Sequence, residues 1–304
     1  MDAVTELARD AVMMRQSAQR TPRWQRSLRA VYVIWYRDII RYWRDRSRLA
    51  ASLAQPLLFL VVFGVGFSSA LGAVGNARGT ASFGSSGASI SYVQYIYPGV
   101  VGMAVLFTSM FTAMSIVWDR EFGFLKEILV APIDRSAVAV GKALGGATQA
   151  MFQGLVMIAV GPIVGVHLTP LTVLEVIPIL FVIALALTSF GVAIAARMRS
   201  IQGFQVIMNF LLMPIFFLSG ALFPLVGLPA WMSVLTRIDP VAYGIAPLRT
   251  AVLSTTGAPG AATRELASVT WFGWSVPSML SLAIVACMGA VFLGIGIRSF
   301  RVRD

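Results

Sequence analysis

Residues 95–117 read YIYPGVVGMAVLFTSMFTAMSIV, an uncharged run of 23 residues that decides the class of fold. A helix rises about 1.5 Å per residue, so this run is long enough to cross the roughly 30 Å hydrocarbon core of a bilayer. Five further apolar runs, nearly free of charge, lie at 50–70, 139–165, 172–196, 203–224 and 274–297. We therefore predict an all-α polytopic membrane protein with six transmembrane helices, numbered one to six along the chain.

The composition of the whole chain agrees with this class. Of the 304 residues, 58% are hydrophobic and only 12% are charged, and the mean hydropathy is +0.80. A soluble domain carries roughly 25% charged residues. The first apolar run follows a long charged lead, and it is too long for the apolar core of a signal peptide. We therefore expect it to remain as an uncleaved anchor.

The 24 Lys and Arg residues are distributed unevenly between the two sides that six spans define. Only four of them lie on the side opposite the termini: Arg78, Arg237, Arg249 and Arg264. The other 20 lie on the same side as the termini. Cytoplasmic loops of membrane proteins carry such an excess of basic residues. We predict a multi-pass protein of the inner or plasma membrane with both termini in the cytoplasm. The net charge of +11 then reflects this asymmetry and not binding to nucleic acid.

Residues 1–48 precede the first span as a cytoplasmic tail and an amphipathic helix, and residues 49–304 form the six-span domain. The helix is indicated by apolar side chains that recur at spacings of three and four: Trp24, Leu28, Val31, Trp35, Ile39 and Tyr42. Aromatic residues on one face and arginines on the other favour a helix in the headgroup region of the bilayer. Packing against protein on the cytoplasmic side is the alternative.

A second amphipathic segment, residues 118–135, lies between spans two and three. Charged residues alternate here with Phe122, Leu125 and Leu129, which share one helical face, and Pro132 ends the helix. On the other side of the membrane, residues 225–272 contain the apolar segments 230–236 and 241–253, which are too short to cross. We predict re-entrant or interfacial helices there, and a helix capped by Asp239 and opened by Pro240.

Residue types that carry catalysis or bind metals are scarce. The single histidine is His167, and no Cys and His cluster has zinc spacing. Gly141 and Lys142 lack the other residues of a phosphate-binding Walker A loop, so any ATP and magnesium must be bound by another chain. Glu175 is the only acidic residue that we place near a span, which disfavours an ion-coupled carrier. We predict no enzyme activity, cofactor or metal in this chain.

Polar residues occur in pairs one turn apart within two spans. These pairs are Gln149 with Gln153 in span three, and Gln205 with Asn209 in span five. Polar groups in hydrocarbon need partners, so such side chains face other helices or a cavity. Hydrogen bonds between helices and a lining of the substrate path are both open interpretations.

Three motifs, in order, resemble those of the type-2 ABC transporter permeases, in particular the daunorubicin-resistance-like group. Residues 119–132, DREFGFLKEILVAP, are similar to the REFGxLxxLLxxP run that follows the second span. Residues 213–224, MPIFFLSGALFP, resemble the P…LSG…P pattern of span five. LPAW at 228–231 and DPVAY at 239–243 resemble the LPxW…(N)PxxY continuation, with Asp239 where many members carry Asn. Both residue types cap helices.

This resemblance implies the membrane domain of a type V ABC exporter, with the amphipathic helix before span one and re-entrant helices before span six. The expected function is a permease subunit that moves a drug, lipid or glycolipid out of the cytoplasm. The implied partners are two copies of a cytoplasmic ABC ATPase, a second permease that is an identical copy or a sister chain, and the bilayer. A polysaccharide or glycoconjugate exporter of the same fold is the main alternative, and a six-span secondary carrier or channel is another.

Candidate functional residues follow from the motifs together with the amphipathic segment. We expect contact with the ATPase at Arg120, Glu121, Phe122, Gly123, Leu125, Lys126, Glu127 and Pro132. Substrate is expected to pass between spans one, two and five of two permeases, lined by Phe107, Phe111, Gln205, Asn209, Phe216 and Phe217. Ordinary packing is the alternative for each of these. The external gate is expected at Ser219, Gly220, Pro224, Trp231, Pro240 and Tyr243.

Overall fold

The structure, a computed structural model, describes residues 22–74, 91–123, 134–225, 228–256, 268–271 and 274–303. Its first helices are α1 (Arg23–Arg44), α2 (Arg46–Val74), α3 (Tyr92–Glu121) and α4 (Arg135–Val160), and a 3-10 turn at Gly161–Val164 extends α4. They are followed by α5 (Pro170–Ala195), α6 (Ile201–Leu218), α7 (Ala230–Ile238) and α8 (Pro240–Leu253), and then a 3-10 turn at Ser254–Thr256. A short antiparallel ribbon of β1 (Thr270–Trp271) and β2 (Trp274–Ser275) precedes α9 (Ser278–Arg303).

The helices fulfil the prediction of an all-α polytopic membrane protein. Five of them are long and apolar enough to cross a membrane: α3, α4 with its extension, α5, α6 and α9. The segments Trp24–Arg44 and Leu49–Gly64 of α1 and α2 pass the same test as a pair, with a bend of 71° between them. The described chain therefore has five candidate spans, or six if this pair counts as one.

Two predicted spans have different bounds in the structure. Span five was expected to continue to residue 224, but α6 ends at Leu218 because Gly220 adopts a left-handed conformation with φ of +73°. Such a φ ends a helix and is favourable chiefly for glycine. Span six was expected to begin at residue 274, but Trp274 pairs with Trp271 in the ribbon and α9 begins only at Ser278.

Helix α3 forms the centre of the bundle and packs against α2, α4, α5, α6 and α8. Its residues Tyr95, Ile96, Tyr97, Val100 and Val101 are fully buried. Close packing depends on a small residue, since a side chain at Gly99 has no room against the backbone of Ala221. The core is therefore organised around a central helix with little surface left for lipid. Of an apolar 18-residue stretch of α3, 78% is buried inside the chain.

Helix α1 packs along α4 through a stripe of buried residues, Ala30, Ile34, Asp38 and Tyr42. Gly141 and Gly145 permit this contact, because Cβ atoms there would lie 3.0 Å from Ile34 and 3.2 Å from Asp38. The stripe that packs on α4 differs from the apolar face that the sequence indicated: Trp24 and Leu28 of that face are exposed, and the buried stripe includes a carboxylate. The exposed face also presents Tyr32, Tyr36 and Trp43, so α1 has one face on protein and an aromatic face outside.

The two ends of the bundle differ in character. Hydrogen bonds of Arg120, Glu121 and Arg135 join the ends of α3, α5 and α9 and the starts of α4 and α6 at one end. We call this the basic end, and α1 packs there. The opposite end, which we call the distal end, holds α7, α8 and the ribbon.

Candidate functional site

Four charged side chains form a cluster inside the basic end. Lys142 Nζ of α4 lies 2.7 Å from Asp119 Oδ2 of α3 and 3.2 Å from Asp38 Oδ2 of α1. Arg37 Nη2 lies 3.4 Å from Asp119 Oδ2 and 3.6 Å from Asp38 Oδ1. Asp38, Asp119 and Lys142 are buried, whereas the side chain of Arg37 is 45% exposed. Two cations thus balance two carboxylates and join three helices.

This cluster contradicts one expectation from the sequence, which concerns buried acidic residues. Glu175 is not the only acidic residue near a span, because Asp119 and Asp38 are both buried beside α4. The available signal was Lys142, a cation within predicted span three that needs a carboxylate partner in a low-dielectric interior. Its partners lie 23 and 104 positions away in the chain, as the numbering 119, 142 and 38 shows, so periodicity does not identify them.

The glutamines of α4 bind α1. Gln149 Nε2 donates to the backbone carbonyl of Asp38 at 3.3 Å. Gln153 Oε1 accepts from Tyr42 Oη at 3.2 Å and from Ser52 Oγ at 3.3 Å. Of the two interpretations that the sequence left open, hydrogen bonding between helices is therefore confirmed for this pair. Gln149 in addition lines a cavity.

The first residues of the predicted coupling segment serve the fold of the chain itself. Arg120 Nη1 donates to the carbonyl oxygens of Ala196 at 2.9 Å and Met198 at 2.8 Å, where α5 ends. Glu121 Oε2 accepts from the backbone N–H of Ile201 at 2.8 Å, where α6 begins. Both bonds satisfy backbone groups that helix ends leave unpaired. Arg120 and Glu121 thus join the end of α3 to α5 and α6, a structural role that was not predicted from the sequence.

Phe122 and Gly123 complete the described part of this segment. Phe122 is 62% exposed beside Trp118, with ring centroids 5.4 Å apart. Gly123 has a φ of +82°, which ends α3 and turns the chain away from it. Leu125, Lys126, Glu127 and Pro132 lie outside the described residues. The described part of this segment therefore presents an exposed aromatic pair at the basic end.

The candidate residues of the substrate path fall into three different environments. Phe107 and Phe111 line a cavity of about 490 Å³ between α1, α2, α3 and α4. Phe216 is fully buried and packs against Phe107 and Phe59, with centroids 6.5 and 6.0 Å apart. The structure therefore does not bring all six residues together within one chain.

The remaining three candidates, Gln205, Asn209 and Phe217, are exposed on the outer face of α6. This face also carries Val206 and Phe210, which are 68% and 81% exposed. Helix α6 is an apolar stretch of 18 residues, and only 22% of it is buried within the chain. Two polar side chains thus stand on a surface that lipid or another subunit must cover.

At the distal end, a buried arginine holds the turn after α6. Arg249 Nη2 of α8 donates to the carbonyl oxygen of Gly220 at 2.7 Å and to that of Ala221 at 3.3 Å. Its guanidinium lies 4.1 Å from the ring centroid of Tyr95, whose hydroxyl also donates to Gly220. Ser219 Oγ donates to Phe216 and closes the same turn. No sequence pattern singled out Arg249, which is one of the four basic residues on the side opposite the termini.

The other predicted gate residues lie around the junction of α7 and α8. Asp239 Oδ1 accepts from the N–H of Val241 at 2.8 Å, which confirms the predicted cap before Pro240. Tyr243 is buried, and its hydroxyl donates to the Arg237 carbonyl and accepts from Trp271 Nε1 at 2.7 Å.

The pKa of the Asp239 carboxyl group at this junction is higher than its ordinary value. Burial raises the pKa of Asp239 from 3.8 to about 8, although backbone N–H donors of Val241 and Ala242 oppose the rise. The last two gate candidates differ in exposure: Trp231 is 66% exposed, and Pro224 is half-buried. Within the described ranges, no three His, Cys, Asp or Glu side chains are placed to hold a metal ion.

Comparisons with known proteins bear on this geometry. The family model described as ABC-2 type transporter matches residues 29–253. A putative transport permease ycf38 of Cyanophora paradoxa is 27% identical over 224 residues, which is 73% of each chain. The inner membrane transport permease YadH of Escherichia coli (strain K12) is 23% identical over 275 residues, 89% of this chain and 97% of that one. A probable doxorubicin resistance ABC transporter permease protein DrrC of Mycobacterium tuberculosis (strain ATCC 25618 / H37Rv) is 26% identical over 218 residues, 70% and 73% of the two chains.

Proposed function

Because this chain belongs to the ABC-2 type transporter family, we propose that it is the permease subunit of an ATP-driven exporter of a hydrophobic or amphipathic compound. Its membership makes it a multi-pass membrane permease, and the family implies association with an ABC ATPase subunit. Export from the cytoplasm and the class of compound are the finer parts of the proposal. The relative named for doxorubicin resistance supports a hydrophobic or amphipathic cargo.

The observation that carries the proposal is the linkage at the basic end. Arg120 and Glu121, the last residues of α3, bond to the end of α5 and the start of α6. Asp119, next to them, pairs with Lys142 of α4 and Arg37 of α1. A force applied just after α3 is therefore transmitted to four other helices without a flexible connection. This is the mechanical arrangement that an ATPase needs to move a permease from one side.

We place the ATPase contact on residues 118–135, in the cytoplasm, with both termini on the same side. Phe122 and Trp118 supply an exposed aromatic pair, which is the kind of group that anchors interfaces. Lys126 and Glu127 are expected to pair across the interface and fix its register. ATP and magnesium are bound by the two ATPase copies, so that this chain contributes the docking surface and the moving helices.

A second permease, identical or a sister chain, is proposed to cover the outer face of α6. Gln205 and Asn209 stand on this face among apolar residues, where lipid offers them no hydrogen bonds. Facing a second subunit, these side chains and Phe217 would border a path for the cargo. The distal turn at Ser219 and Gly220, with Pro224, Trp231, Pro240 and Tyr243 nearby, would close this path toward the outside.

The proposal is tested with two variants that separate docking from transmission. Phe122→Ala removes an exposed contact and is expected to lower co-purification of the ATPase about tenfold or more, since an aromatic anchor contributes about 2 kcal/mol. Arg120→Gln keeps Phe122 but loses the bonds to Ala196 and Met198. It is expected to retain the ATPase while substrate-stimulated turnover in liposomes falls.

A matched control and two contrary outcomes complete this experiment. Trp274→Ala removes an aromatic side chain of similar exposure at the distal end and is expected to leave ATPase binding unchanged. Normal co-purification by Phe122→Ala would show that the docking surface lies elsewhere. Hydrolysis of ATP by the isolated chain, or labelling of both termini from outside intact cells, contradicts the proposed function itself.

A further inference from the structure

A cavity of about 490 Å³ lies in the elbow between α1 and α2 at the basic end. One wall is apolar and is built from Phe107, Phe111, Met114 and Trp118 of α3. From Phe107 to Trp118 the helix rises by about 16 Å. Cavities of about 300–1,000 Å³ accommodate drug-sized ligands. The elbow therefore has room for an elongated apolar body beside aromatic rings.

The inner polar side of the cavity carries charges that are already compensated. Asp38 and Lys142 line it and are paired with each other at 3.2 Å, and Lys142 is also paired with Asp119. Thr108 lines it as well, and its buried Oγ1 has no hydrogen-bond partner among the described residues. Two cations and two carboxylates balance in this cluster, so the inner side of the cavity carries no net charge.

The outer side of the cavity has an excess of positive charge. A shallow groove lined by Arg37, Ile40, Arg41, Arg44 and Asp45 adjoins the cavity, and Arg41 and Asp45 line both. Three guanidinium groups here face a single carboxylate. Arg37 is engaged with the buried carboxylates, whereas Arg41 and Arg44 are exposed. Guanidinium groups bind phosphate and carboxylate oxygens through two parallel hydrogen bonds.

We propose that this elbow binds an amphipathic anion. The apolar body lies along Phe107 and Phe111, and the phosphate or carboxylate head lies between Arg41 and Arg44. A cation with the same body is disfavoured because the groove already repels positive charge. The site lies within one subunit and includes Phe107 and Phe111, two of the residues expected to line the substrate path. The inference is tested by the binding of an amphiphile to the purified chain, and it does not rest on the proposed function.

The test uses the full chain purified in a neutral detergent. Native mass spectrometry follows the binding of dodecyl phosphate, an anion with an apolar chain, and of dodecyltrimethylammonium, a cation with the same chain. The phosphate is expected to bind about tenfold more tightly, because one charge-assisted contact accounts for such a factor. Equal binding of the two amphiphiles would contradict the proposal.

Three variants locate the binding site. The double variant Arg41→Gln/Arg44→Gln is expected to weaken dodecyl phosphate binding about tenfold or more. Arg29→Gln removes one positive charge from an exposed position of α1 outside the cavity and groove, and it is expected to bind as the unaltered chain does. Ala51→Phe fills the cavity from an exposed position, where the larger side chain is tolerated, and is expected to weaken binding to a similar degree.

Competition with phosphatidylglycerol identifies the source of the natural ligand. Displacement of dodecyl phosphate by this lipid assigns the site to a membrane lipid, and a lack of displacement assigns it to a soluble amphiphile. Either result agrees with the proposal when Ala51→Phe and the arginine pair lower binding. Unchanged affinity in Ala51→Phe, or an equal loss in Arg29→Gln, overturns it, because binding would then reflect surface charge and not the elbow.

Discussion

The Nζ atom of Lys142 lies 2.7 Å from Oδ2 of Asp119, and both side chains are buried where α1, α3 and α4 meet. Asp38 of α1 completes the arrangement at 3.2 Å from the same ammonium group. Burial of charges is costly, so such a cluster is stable only while its charges balance. The cluster therefore fixes how α1 is seated on the bundle, beside the helix end that we assign to the ATPase contact.

Removal of the ammonium group from this cluster is expected to destabilise the protein strongly. Lys142→Met leaves two buried carboxylates with Arg37 alone, and the free energy of unfolding should fall by about 3–5 kcal/mol. The double variant Lys142→Met/Asp119→Leu restores the balance with one cation and one carboxylate, and it should recover part of this loss. Thermal unfolding in detergent measures both. A single variant that melts as the unaltered chain does would disprove the structural role of the pair.

Arg249 is expected to hold the turn after α6 through its bond to Gly220. Arg249→Met leaves that buried carbonyl without its charged donor, at a cost of about 1.5–3 kcal/mol. Amide hydrogen exchange should accelerate at residues 219–222 more than in α5. Arg237→Met is the control, because it alters a half-buried arginine of the distal end that bonds to Thr270 instead. Equal acceleration in both variants would show that the turn does not depend on Arg249.

The ionisation of Asp239 predicts a dependence of stability on pH. Its pKa is raised by burial from 3.8 to about 8 in the folded chain, so the folded state binds this proton more tightly than the unfolded state. The contribution to stability is complete below about pH 4 and is lost as the pH rises toward 8.

Asp239→Asn keeps a capping oxygen and cannot ionise. Relative to the unaltered chain, its melting temperature should rise by at least about 2 °C at pH 9 and by less at pH 5. Melting curves of both proteins across this range provide the measurement. A constant difference between the two curves would mean that the carboxyl group does not titrate there.

Gly99 is expected to tolerate no side chain. A Cβ atom at this position meets the backbone of Ala221, which cannot move aside as a flexible side chain does. Gly99→Ala should lower the free energy of unfolding by about 1–3 kcal/mol through overpacking. Gly294→Ala is the matched control in α9, since nothing lies within 4 Å of its Cβ position. There alanine should be neutral or stabilising by up to about 1 kcal/mol, and thermal unfolding distinguishes the two cases.

Much of the architecture was predictable from local properties of the chain. Apolar runs long enough to cross a bilayer predicted the kind of membrane helices and five of the six spans, because hydrocarbon accepts only segments whose backbone groups bond internally. The short helices 230–238 and 240–253 were predictable from their interrupted apolar segments and from Asp239 before Pro240. Three motifs in order were sufficient to indicate the family, which the match over residues 29–253 shows.

The tertiary structure alone decided what the charged residues do. Arg120 and Glu121 were expected to face a partner, and the structure adds hydrogen bonds to Ala196 and Ile201 of their own chain. The sequence pattern indicated no partner for Lys142 or Arg249. In the structure, Lys142 pairs with buried Asp119 and Arg249 donates to the buried carbonyl of Gly220. A sequence pattern defines the polar face of each helix, but the rotation and crossing of helices decide which faces meet. Those depend on packing between segments that are distant in sequence, such as α1 against Gly141 and Gly145, and only the folded bundle contains that information.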